Sequence, residues 1–225
     1  MAVLTNTMMQ GTAAISDEES YEIKQSLRFE DGDLKKTSTP AGNLQVFTIS
    51  LWMKTNRSGA RLYGNYTDGS NYLIISHDYA SDDGKIAVQA VIGGTDYRAV
   101  SIGQFRDPSA WYHVVLKFDT SRSTEADRYK LYINGKEAAW EKPGGYNWVP
   151  HYGYMQITGG EDRLSSSSSW GGSPWKGYIT DFYFIDGLAL SPAAFGSFDS
   201  TNAWNPKTFA LPTPNTNAES PTWSN

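Results

Sequence analysis

Hydrophobic and polar positions alternate with period two in several separate stretches of this chain. In residues 178–185, Tyr178, Thr180, Phe182 and Phe184 fall on one face, and Ile179, Asp181, Tyr183 and Ile185 on the other, the pattern of a strand buried on at least one side. Residues 85–91 alternate as cleanly, with Ile86, Val88 and Ala90 on one side. Along 111–119, the positions Tyr112, Val114, Leu116 and Phe118 are predicted to face a core, which puts His113 on the opposite face. Turn signals separate such runs at Asp68-Gly69, Asp83-Gly84, Gly93-Gly94, Asn134-Gly135 and Gly144-Gly145. The sharpest is Asn134-Gly135, because both residues accept the positive φ of a type I′ hairpin.

After the strand at 178–185, Asp186-Gly187 supplies another turn, and Ser191-Pro192 sets an N-cap residue before a proline suited to the first helical position. A short helix is predicted over residues 193–195. No stretch of ten residues carries a 3.6-residue period, and neither internal repeats nor heptads occur. Short strands at this spacing predict a single all-β sandwich, and any oligomer should form through sheets, loops or arms.

Composition adds limits. The chain has 225 residues, 39% hydrophobic and 14% aromatic, with eight tryptophans and fourteen tyrosines, so rings must cover sheet faces, loops or a partner. A net charge of −5 without a Lys/Arg cluster larger than Lys35-Lys36 argues against nucleic-acid binding. Cysteine is absent, which excludes disulfides, thiolate metal sites and thiol nucleophiles. No run approaches the ~20 apolar residues of a membrane helix, and residues 1–20 lack the basic start and apolar centre of a secretory signal. The expectation is synthesis in a cytoplasm, with no membrane insertion.

The motifs together resemble the concanavalin A-like, laminin G-like jelly-roll domain of structural proteins from marine tailed bacteriophages. The resemblance rests on Ser26-Leu-Arg-Phe-Glu-Asp-Gly-Asp33, Phe47-Thr-Ile-Ser-Leu-Trp-Met-Lys54, Trp111-Tyr-His-Val-Val-Leu-Lys-Phe-Asp119 and Asp127-Arg-Tyr-Lys-Leu-Tyr-Ile-Asn-Gly-Lys136. It continues through Trp175-Lys-Gly-Tyr178, the strand and turn that follow, and Trp204-Asn-Pro-Lys207. It implies a sandwich of two antiparallel sheets over 25–207, flanked by an N-terminal arm over 1–24 and a C-terminal tail over 208–225. It also implies a non-enzymatic virion protein: a capsid decoration, tail or fibre component released by lysis rather than export. Its arm would dock on other virion proteins and on copies of itself, with the jelly roll facing outward. The bland alternative is that both tails wrap their own domain.

Glycosidases of this fold class carry Glu-x-Asp-x-x-Glu; the nearest string here is Glu125-Ala-Asp127-Arg-Tyr-Lys130, with lysine in place of the second glutamate and both carboxylates expected in solvent. His77, His113 and His151 are scattered without zinc-ligand spacing. No cofactor is expected. Calcium is the one candidate, since Asp31-Gly-Asp33 and Asp82-Asp83-Gly84 offer hard oxygen ligands, although Asp-Gly serves turns equally well. The remaining signal is aromatic: Trp140, Tyr146, Trp148 and Tyr152 lie among glycine and proline, and Trp170 and Trp175 follow the five serines of residues 165–169. Such rings suit stacking on a host surface glycan or anchoring a protein interface, and filling the sheet and its loops would use them equally.

Overall fold

A computed structural model describes residues 21–30, 32–37, 42–55, 60–77, 84–153, 160–165 and 173–211. The strands are β1 (Leu27–Phe29), β2 (Leu34–Thr37), β3 (Val46–Thr55), β4 (Ala60–Asp68), β5 (Asn71–His77), β6 (Ile86–Ile92), β7 (Thr95–Ser101) and β8 (Tyr112–Asp119). They continue as β9 (Tyr129–Ile133), β10 (Lys136–Ala138), β11 (Trp140–Glu141), β12 (Glu161–Leu164), β13 (Ser173–Pro174), β14 (Gly177–Asp186), β15 (Gly196–Phe198) and β16 (Trp204–Pro206). One sheet runs β1-β14-β3-β8-β9-β10, and the other β11-β7-β6-β5-β4-β12-β2 with β13 alongside β4. Pairing is antiparallel except for the short β13–β4 contact. This is the expected jelly-roll sandwich.

Period two builds the core. Phe47, Ile49, Leu51 and Met53 of β3, Val114, Leu116 and Phe118 of β8, and Ile86, Val88 and Ala90 of β6 all enter the cluster between the sheets. The Asn134-Gly135 turn forms as predicted, with φ of 47° and 76°.

The alternation in β14 breaks at its middle. Thr180 pairs with Trp52, but Tyr183 pairs with Ser50, so one extra residue is accommodated on β14, where Asp181 takes a φ of 46°. The bulge swaps faces: Ile179, Phe182 and Phe184 all pack on the core between the sheets, whereas Tyr183 and Ile185 join a second cluster outside. The single apolar face expected of Tyr178, Thr180, Phe182 and Phe184 is therefore divided between the two sides of the sheet.

The second cluster, built on Val115, Ile185 and Phe195, exists because the chain after β14 folds back over the outer face of the six-stranded sheet. Thr48, fully buried, receives the Leu190 N–H at 2.8 Å and donates its hydroxyl to the Leu188 carbonyl at 2.7 Å. The short helix expected over 193–195 is a single 3-10 turn, Pro192–Ala194, and Ser191 makes no side-chain cap. One turn is all the chain requires before Phe195 inserts into the cluster. Phe209 then stacks on Phe195 at 4.8 Å, and Tyr21 donates to Asp181 at 2.9 Å. The folded body thus reaches past both expected boundaries of the 25–207 domain. Residues 1–20, most of the expected arm, and 212–225 lie outside the described residues.

Trp204 locks this outer layer. A side chain at Gly135 or at Gly196 would run into its indole. Gly94, with a φ of 79°, faces open space. An alanine at either turn meets the same backbone penalty, but only Gly135→Ala also collides with Trp204. Gly135→Ala should therefore lower stability in urea by ~1–3 kcal/mol more than Gly94→Ala. Equal losses would mean that Trp204 does not depend on the cradle.

Candidate functional site

The rings singled out in sequence do not converge. Trp175 is fully buried, its indole edge-on to His77 at 5.8 Å, so it is a core residue and cannot serve as a surface platform. Trp140 and Trp148 both lean on Tyr129, at 5.9 and 5.2 Å, and pack against the core. Tyr146 lies under the Arg98 guanidinium at 5.5 Å. Tyr152 is open to solvent, 58% exposed, and stacks on His151 at 4.1 Å. Trp170 lies outside the described residues.

Calcium is poorly matched by what is described. Asp33 is ion-paired with Arg163, so a cation already occupies its carboxylate. Asp31, Asp82 and Asp83 lie outside the described residues. Among the described residues no group of three His, Asp or Glu side chains could hold a metal. Glu125 and Asp127 sit exposed on a 3-10 turn, where Asp127 pairs with Lys130 at 3.1 Å. No helix among the described residues is long and apolar enough to cross a membrane.

The aromatic site lies instead on the outer face of the six-stranded sheet. Two adjoining depressions of about 340 and 380 Å³ share Trp52, Trp111 and Trp204. Trp52 comes from β3, on the same face as Thr48 and Ser50. Trp111 immediately precedes β8 and Trp204 opens β16. The first depression is also lined by residues 23–26, Thr180, Asn205 and Pro206. The second runs over the Asn134 turn to Phe198 and Asn202. Trp111 is 37% exposed and Phe198 41%. The result is an open trough with rigid aromatic walls and amide side chains along its rim.

His113 holds the trough's floor. It is stacked between Trp52 at 4.8 Å and Trp204 at 5.8 Å. The Trp204 indole N–H donates to its Nδ1 at 2.9 Å. An indole can only donate, so Nδ1 is unprotonated and Nε2 carries the hydrogen toward Ser50 Oγ, 2.9 Å away. Burial pushes the imidazole down to about 4. His113 is on the outer face, as its parity predicts, but it is sealed rather than exposed. At the rim, Asp199 is pulled down to about 2 by the Thr201 hydroxyl first, then by the Ala203 N–H and the Asn205 amide, which turns its carboxylate into its own loop.

The sequence reading missed Trp52, Trp111 and Trp204 as site residues because each stood inside a strand motif. The parity of Trp52, shared with Thr48 and Ser50 and opposite to Phe47, Ile49, Leu51 and Met53, was the available signal.

The two antiparallel sheets packed as a sandwich define a concanavalin A-like β-domain. The concanavalin A-like lectin/glucanases superfamily model matches residues 30–194, and the chain belongs to that superfamily. No curated protein matches the sequence. Among solved structures, mouse laminin alpha1 domains LG4-5 superpose with a TM-score of 0.53 at 13% identity, covering 86% of this chain and 48% of that one. Domain 4 of AbnA, an extracellular GH43 arabinanase from Geobacillus stearothermophilus solved with arabinotriose, gives 0.51 at 19% identity, covering 72% and 69%. The LG1-3 region of the laminin alpha2 chain gives 0.50 at 15%, covering 74% and 33%. These likenesses concern the fold.

Because folded His113 stays neutral down to about 4 while an unfolded histidine protonates near ~6.5, the unfolded state binds the proton first as pH falls. Stability is unaffected by His113 above ~6.5 and should drop by roughly 3 kcal/mol between there and about pH 4. The carboxylates held low, Asp107, Asp119 and Asp199, add to the loss only at the acid end of this window, from about pH 5 down, and do so equally in a His113 variant. Urea midpoints from pH 7 to 4 should fall more steeply for the native chain than for His113→Gln; parallel curves would exclude His113 as the source.

Proposed function

We propose that this chain is a non-catalytic structural component of a bacteriophage particle that presents a carbohydrate-recognising jelly roll, with the Trp52–Trp111–Trp204 trough as its binding surface. The observation that carries the recognition part is the convergence of three tryptophans from distant parts of the chain on one open trough. Sugars present flat C–H faces to aromatic rings and hydroxyls to amides, and the trough offers both. The domain of AbnA solved with arabinotriose illustrates that a sandwich of this kind can hold an oligosaccharide. The viral part rests on the sequence resemblance to virion structural proteins, and the location follows from it: the particle, after synthesis in the host cytoplasm. Docking on neighbouring virion proteins is assigned to the N-terminal arm, most of which lies outside the described residues.

A binding rather than hydrolytic role is supported by the lysine that stands where a glycosidase strand needs its second glutamate, and by the solvent position of Glu125 and Asp127.

Two measurements test the reading. Trp111→Ala should weaken glycan binding by about tenfold or more, as expected of a central aromatic anchor, while melting stays within a few degrees of the native chain. Unchanged affinity would remove the trough from recognition. Deleting residues 1–20 should leave a folded, soluble protein that no longer co-sediments with the particle; retained association would assign docking to another surface.

A further inference from the structure

We infer that the trough selects an acidic oligosaccharide, one carrying carboxylate or sulfate groups, over a neutral one; this rests on the glycan-binding reading above and deepens it. The observation is the charge of the lining. In a chain with 24 acidic and 19 basic residues, the two depressions contain Lys24 in one and Lys136 in the other, and no aspartate or glutamate in either. Both lysines are exposed, and among the described residues neither is in an ion pair. Lys136 extends over the Phe198 ring at 5.7 Å, so its ammonium is held beside an aromatic wall instead of ranging through solvent.

One acidic residue, Asp199, adjoins Phe198 in the chain without entering the second lining. Asp199 leads the loop that carries Asn202 and Trp204, yet its oxygens are taken up by Thr201, Ala203 and Asn205. Asp199 keeps its charge, but it lies outside both linings and its oxygens face its own loop. At neutral pH the buried His113 adds no charge to the floor. What remains is a neutral aromatic surface with one cation in each half.

The two-lobed shape bears on ligand length. Each lobe is near the lower end of the ~300–1,000 Å³ typical of ligand pockets, and both are lined by the same three tryptophans. A ligand spanning both lobes would stack in the middle and meet a lysine in each half. That fits an oligosaccharide with anionic groups on more than one unit better than a single charged sugar. A charge-assisted contact to each lysine supplies selectivity over an uncharged analogue of the same backbone.

The test is calorimetric titration of the full chain with oligogalacturonate tetramers, with their fully methyl-esterified, uncharged form, and with sulfated galactan tetramers. Binding of at least one acidic probe about tenfold or more tighter than the ester, weakened by added salt, is expected. The variant Lys24→Gln/Lys136→Gln should bring the acidic probe down to the level of the ester, and Trp111→Ala should weaken acidic and neutral probes alike. Preference for one acidic probe over the other tells carboxylate from sulfate. Equal binding of acid and ester, or an acid preference that survives loss of both lysines, overturns the charge selection while leaving glycan recognition standing. No binding by any probe overturns both. Binding of a single-stranded oligothymidylate in place of the sugars would reassign the trough to a different polyanion.

Discussion

The seating of Trp204 on the outer face of the six-stranded sheet is the contact on which the rest of this molecule's functional surface depends. Its indole is held by two glycines that could not be anything larger, Gly135 in the β9–β10 turn and Gly196 at the start of β15. It hydrogen-bonds His113 and meets Phe198 edge-on at 4.9 Å. These neighbours come from β8, the β9–β10 turn and β15, so the seat of Trp204 exists only where the C-terminal hairpin lies on the completed sheet. Once seated, the same ring closes His113 from water, fixes its tautomer, and becomes the wall shared by both halves of the trough. One side chain therefore couples the stability of the outer layer to the shape of the candidate site.

The outer face can accept this layer because β3 places polar groups where a sandwich usually meets solvent. Thr48 and Ser50 are both fully buried, and their hydroxyls are matched to the Leu188–Leu190 backbone and to His113. Buried hydroxyls are costly only when unpaired. Here pairing converts a strand face that reads as solvent-facing into a docking strip for the following chain. Val115 and Ile185 supply the apolar half of that strip. The bulge at Asp181 is part of the same arrangement, since without the extra residue Tyr183 and Ile185 would point into the space between the sheets.

The sandwich, the Asn134-Gly135 hairpin and the inward sides of β3, β6 and β8 are legible in sequence, because local alternation and turn chemistry decide them. The outer layer is not, since it depends on which polar residues find partners after folding. A two-residue period cannot distinguish Ser50 in water from Ser50 against His113. β12 is hidden for a related reason. Its residues Glu161-Asp-Arg-Leu look like a loop, yet the strand sits between β4 and β2. There the Asp162 carboxylate is satisfied by Tyr63 at 2.7 Å and Asn65 at 2.8 Å. Burial of that pair also holds the Tyr63 hydroxyl well above its ordinary range.

The same limit explains the candidate site. Composition draws attention to aromatics in loops, where glycine and proline suggest exposure. However, a loop capping the end of a sandwich must cover the open edge of the core, and large rings do this efficiently. Trp140, from the edge strand β11, and Trp148, from the loop after it, both pack on Tyr129, and Trp175 lies wholly inside. A recognition surface needs rings whose orientation does not change on binding, because ordering a mobile side chain subtracts from affinity. Strand-borne rings meet that requirement when their undersides are packed. Trp52 rests on an imidazole fixed from both nitrogens, and Trp204 is confined between two glycines. Rings of this kind stand where the backbone is most regular, inside the motifs that define the fold, and there a reading by composition passes over them.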